Sequence, residues 1–83
     1  MTELDRLTRD LHTHIAHAVR QTREAQGLSM LAVAERAGLS QQMVSYVERG
    51  IRKPSLETLV RIAHVLELDL VELLQVGRRW RRT

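Results

Sequence analysis

The stretch LSMLAVAERAGLSQQMVSYVERG, residues 28–50, holds two short helical patterns joined by AGLS. Ser29 stands where an N-cap belongs ahead of MLAVAERA, and Gly38 stops that run. Ser40 repeats the arrangement ahead of QQMVSYVER, which stops at Gly50. The link is too short for an antiparallel hairpin of long helices.

A glycine in a three- to four-residue turn between two short helices is the mark of a helix-turn-helix. The same punctuation organises the chain on either side. Upstream, Leu4, Leu7, Leu11, Ile15, Ala18, Val19 and Thr22 recur at three- and four-residue spacing. They predict a first helix from Glu3 or Asp5 to Gln26, ended by Gly27. Downstream, IRKP is the longest loop, and Pro54 forces Lys53 towards an extended conformation. Ser55 then caps LETLVRIAHVLE, and Asp69 caps LVELLQ before Gly77. No segment alternates with period two for long, so the chain reads as all-α with five helices.

The 83 residues make one small domain, and 43% are hydrophobic. With no Phe, the core must come from Leu, Val, Ile, Ala and Met. The absence of Cys excludes disulfides and thiolate metal sites. No run approaches the roughly 20 apolar residues of a membrane span, and no signal peptide opens the chain. A cytoplasmic protein of bacterial or phage type, without a membrane partner, is expected. His14 and His17 lie three apart with His12 nearby, but no carboxylate or third His clearly shares their face. Neither a metal nor a cofactor is expected. With no convergent His/Asp/Ser set and no glycine-rich phosphate loop, an enzyme is disfavoured.

The net charge is +3, and Arg78, Arg79, Arg81 and Arg82 supply more than all of it. Without them nine of the 13 basic residues face 10 acidic ones, a balance of −1. Anion binding must then come from local placement and not from a global field. At 100° per residue, helix 41–49 divides cleanly. Met43, Val44, Val47 and Glu48 fall on one side, and Gln41, Gln42, Ser45, Tyr46 and Arg49 on the other. The second side is polar yet free of acids, which suits the DNA major groove. A Gln amide pairs bidentately with adenine, and Tyr46 offers a hydroxyl to a phosphate or base edge and a ring to a thymine methyl.

Residues 19–75 resemble the Cro and lambda-repressor type (XRE-like) helix-turn-helix domain almost end to end. GLS occurs twice, then VERG, KPS and IAHVLEL follow in that group's order and spacing. The resemblance implies a five-helix lambda-repressor-like DNA-binding domain, here with an extended first helix. It makes residues 40–49 the recognition helix, with Gln41, Gln42 and Tyr46 as base readers and Ser45 a weaker one. A glutamine pair occupies the same place in a phage repressor of the group. It also implies that Arg23 and Glu48 form a buried ion pair between the first and third helices, which explains the one charge on the inward face. In this architecture the loop after the third helix runs beside the DNA backbone, so Arg49, Arg52 and Lys53 are expected on phosphates.

The departure is Met30, where related domains often carry a Gln that bonds a phosphate and braces the first recognition residue. Met can do neither. Val33 replaces the group's helix-2 leucine and keeps its core role. The expected organisation is an N-terminal extension of the first helix (1–13), the DNA-binding domain (14–76) and a basic tail (77–83). The extension carries Leu4, Leu7 and Leu11, which pack either on the last helix or on a second subunit. The apolar end, Leu68, Leu70, Val71, Leu74 and Val76, is the other candidate interface. The tail GRRWRRT is an arm to DNA, a contact to a partner subunit through Trp80, or a free basic end.

The expected function is a transcriptional regulator, a repressor by preference, bound as a homodimer to an inverted repeat in double-stranded DNA. With no sensor domain following the last helix, control would come through concentration, a protein partner or proteolysis. The alternative is a protein-interaction module on the same scaffold, such as an antitoxin-like partner binder.

Overall fold

The computed structural model describes residues 2–51 and 53–74. They form α1 (Glu3–Ala25), α2 (Met30–Ala37), α3 (Gln41–Arg49), α4 (Leu56–Leu66) and α5 (Leu70–Leu73). Among them there is no strand.

Each helix begins on a residue able to satisfy its open N–H groups. Ser29, Ser40 and Ser55 accept from the backbone N–H of Ala32, Met43 and Thr58. Thr2 resolves where α1 starts. Its hydroxyl accepts from Asp5 N at 3.1 Å, while Asp5 Oδ2 accepts from Thr2 N at 3.2 Å, a reciprocal capping box. The Thr2 backbone bond, then its hydroxyl, hold the Asp5 carboxyl below its usual pKa.

The helix ends share one device. Gly27, Gly38, Gly50 and Glu67 all have positive φ, between 56° and 70°. The aliphatic residue after each sends its N–H back to a carbonyl in the last turn: Leu28 to Arg23, Leu39 to Ala34, Ile51 to Tyr46 and Leu68 to Ala63. Leu28, Leu39 and Leu68 then pack on the core. This explains a difference from the periodicity, which carries α4 through Glu67. The helix stops at Leu66 because a left-handed Glu67 lets Leu68 turn inward. At Gly38 a β-carbon would also lie 3.0 Å from Arg61 Nη1, so glycine fits there on two counts.

Ile15 and Val19 of α1, Val33 and Ala34 of α2, Val44 and Val47 of α3, Leu59, Ile62 and Leu66 of α4 and Leu73 of α5 make the core. Three side chains then tie helix ends to other elements. Gln26 Nε2 donates to Leu66 O at 2.7 Å, Arg61 Nη1 to Ala37 O at 3.0 Å, and Arg23 Nη1 to Leu28 O at 2.8 Å. Each satisfies a carbonyl that a helix end or turn would leave open. The turn between α2 and α3 is thus clamped from behind by α4.

The leucine stripe of the α1 extension divides. Leu11 packs on the core, Leu7 is half-buried and Leu4 is 71% exposed. In the last helix Leu73 is buried and Val71 exposed, and Leu74 just past its end is exposed. Val76 and the GRRWRRT tail with Trp80 lie outside the described residues, as does Gln75, the expected end of the last helix.

Candidate nucleic-acid interface

Helix α3 is held from within by Val44 and Val47, both buried, and by Met43, half-buried against the core. Glu48 completes the inner face. Its side chain is 4% exposed and receives Arg23 Nε at 2.6 Å on Oε2 and Arg23 Nη2 at 3.0 Å on Oε1. A bidentate guanidinium–carboxylate contact fixes angle as well as distance. The same guanidinium donates to Leu28 O, so one side chain joins α1, α3 and the loop before α2. The hydrogen bond to Glu48 raises the Arg23 pKa above its already high value.

The outer face carries Gln41, Gln42 and Arg49, all exposed, and Ser45 and Tyr46, both half-buried. The five expected groups therefore share one surface of one helix. The Gln42 amide donates to the Tyr46 hydroxyl one turn later. Tyr46 thus acts on Gln42 as well as offering its own hydroxyl. The i, i+4 spacing made that contact available in the sequence, but only the side-chain conformations select it.

The helix termini differ in charge. The first turns of α1, α4 and α5 contain acidic residues, and those of α2 and α3 contain none. A helix N-terminus carries partial positive charge from its open N–H groups, and an acid there would oppose an approaching phosphate. The two helices of the turn motif leave that charge unopposed. Met30, first in α2, is half-buried and packs on the core, as an apolar side chain should in place of a phosphate-binding amide.

Past α3, Lys53 is exposed in the loop beside Pro54, while Arg52 lies outside the described residues. Among the described residues no three His, Asp or Glu side chains gather as a metal site. No helix among them is long and apolar enough to cross a membrane.

The helix-turn-helix family profile matches residues 19–73. Two relatives in Sinorhizobium fredii are named uncharacterised HTH-type transcriptional regulators. One, y4dL, is 41% identical over 58 residues, which is 70% of this chain and 30% of the relative. The other, y4dJ, is 36% identical over 64 residues, covering 77% of this chain and 83% of that one. The chain thus spans about a third of y4dL but most of y4dJ. Among solved structures, the restriction-modification controller protein C.AhdI from Aeromonas hydrophila superposes with a TM-score of 0.70 at 34% identity, covering 75% of this chain and 94% of that one. The matched segment contains α2 and α3 whole, with the Arg23–Glu48 pair inside it. The chain belongs to the helix-turn-helix family of the Cro and lambda-repressor type, a family of DNA-binding transcriptional regulators and not of enzymes.

Proposed function

We propose that this chain is a sequence-specific transcriptional regulator that reads the DNA major groove with α3. The observation that carries the reading is the outer face of that helix: amides, hydroxyls and one guanidinium, without a carboxylate, on a helix locked by Val44, Val47 and Glu48. Gln41, Gln42, Ser45 and Tyr46 contact base edges, and Arg49, Arg52 and Lys53 contact phosphates. It acts in the cytoplasm as a homodimer on an inverted repeat, with half-sites about one helical turn apart. It represses by occluding polymerase. Ile51, Leu56 and Val60 support the pairing. They are exposed aliphatic residues just beyond α3, and Ile51 is the exception among the four aliphatic residues that close helix ends. A protein-binding role on the same scaffold is favoured by one observation, the inward-packed Met30.

Selection from a random duplex library, followed by gel shift, tests the proposal. A recovered palindrome supports it. Salt-sensitive binding that selects no sequence removes the specific role and leaves an architectural one.

Two substitutions test the division of labour on α3. Arg49→Ala is expected to weaken binding to all duplexes and to lower the salt slope by about one unit. An unchanged slope takes Arg49 off the backbone. Tyr46→Phe removes the acceptor that steadies Gln42 and leaves the ring. A hydrogen bond worth about 0.5–1.5 kcal/mol predicts a roughly two- to tenfold loss on the selected site, with broadened preference at one base per half-site. Equal losses on selected and random duplexes would count against Tyr46 as a guide for Gln42.

A further inference from the structure

The first turns of α1 lie against the loop that leaves α3. Asp5, Thr8, Arg9, His12 and Thr13 recur at three- and four-residue spacing, so they form one stripe of the helix. With Gly50 and Lys53 they line a cleft of about 290 Å³. None of these side chains is apolar. This stripe differs from the neighbouring leucine stripe, whose Leu11 turns to the core. Asp5 serves the capping box of α1, whereas Arg9, His12 and Thr13 stand beside the exit of the reading helix.

The charges in the cleft can be assigned. Asp5 is committed to the capping box through Oδ2, and Lys53 and Arg9 both add to the field that keeps it ionised. The lining therefore carries two permanent cations, Arg9 and Lys53, and one carboxylate, Asp5. Thr13 and His12 add a hydroxyl and a ring N–H donor, while the Thr8 hydroxyl is spent on Leu4 O at 3.0 Å. A cluster of donors with excess positive charge in an open cleft suits a phosphate oxyanion. Gly50 and Lys53 follow directly on α3, so an anion held here lies next to the end of the reading helix.

We propose that this cleft is a phosphodiester site, in which Arg9 and the donors of the α1 extension join Lys53 in holding a DNA backbone phosphate flanking the bases read by α3. The extension then lengthens the footprint on the duplex. This inference rests on the reading of α3 as the DNA-binding helix, and its test separates the two.

The test measures how affinity for a mixed-sequence 24-base-pair duplex depends on salt, for the full chain and for Arg9→Gln. Losing one phosphate contact is expected to lower the slope by about one unit. Thr13→Asp, which adds a carboxylate to the cleft, should weaken binding several-fold at low salt, with helical content unchanged. Double-mutant coupling between Arg9→Gln and Lys53→Gln should be non-additive if both hold the same phosphate. If the parent slope is steep and Arg9→Gln leaves it unaltered, the cleft proposal falls and the α3 reading stands. If the parent binds no duplex, both fall. Titration with inorganic phosphate, followed by amide shifts at residues 8–13, separates a free-anion site. Shifts with phosphate alongside an unchanged duplex slope would overturn the assignment to DNA.

Discussion

Glu48→Ala should lower folding stability by about 3–5 kcal/mol, the usual cost of removing one partner from a buried ion pair. The expectation rests on geometry. Glu48 is 4% exposed and Arg23 13% exposed at the side chain, and both oxygens of the carboxylate are used, at 2.6 and 3.0 Å. Without Glu48, a guanidinium that cannot shed its proton stays in the interior, left among the described residues with Leu28 O and an exposed Glu24 at 3.9 Å. For a domain of this size, 1 kcal/mol moves the melting temperature by roughly 4–8 °C. The substitution should therefore lower it by about 12 °C or more in thermal unfolding followed by circular dichroism. Replacing both partners by apolar residues of similar volume should cost far less, because no charge is then stranded. An unchanged melting temperature in Glu48→Ala would show that the pair does not hold α1 to α3.

The elements legible in the sequence are those whose backbone hydrogen bonds close locally. Ser29, Ser40 and Ser55 cap their own helices, and Gly38 and Gly50 end theirs, so α2 and α3 follow from residue types a few positions apart. The two faces of α3 were legible for the same reason, since helical period alone separates Val44 and Val47 from Gln41 and Gln42. Glu67 was not, because a left-handed conformation at a non-glycine residue is selected by Leu68 packing on the core. Bonds that cross the fold left no local trace either. Nothing near Gln26 or Arg61 in the chain announces that each closes a carbonyl of another helix, at Leu66 and Ala37. The cleft beside α1 was hidden in the same way. Its polar stripe is written in the first helix, but only the path of the loop at Gly50 and Lys53 gives that stripe a partner.

The pair substitution Gln41→Ala/Gln42→Ala should separate specific from non-specific binding more sharply than any single change. Each bidentate amide–base contact is worth about 1–3 kcal/mol of discrimination, so losing two removes about 2–6 kcal/mol, or roughly 30-fold to 20,000-fold on the selected site. Affinity for random duplex and its salt slope should persist, because Arg49, Lys53 and the acid-free helix ends of α2 and α3 are untouched. Folding should not suffer. Both glutamines are exposed, Ala is the better helix former, and Ser40 still caps through Met43 N. The order within the pair follows from Tyr46, which steadies Gln42 through a hydrogen bond one turn away. Gln42→Ala alone should then cost more specificity than Gln41→Ala, since a pre-ordered side chain loses less entropy on binding. Equal losses on selected and random duplexes would mean that α3 meets the backbone and not the bases. In that case the acid-free face serves only to avoid repelling phosphates.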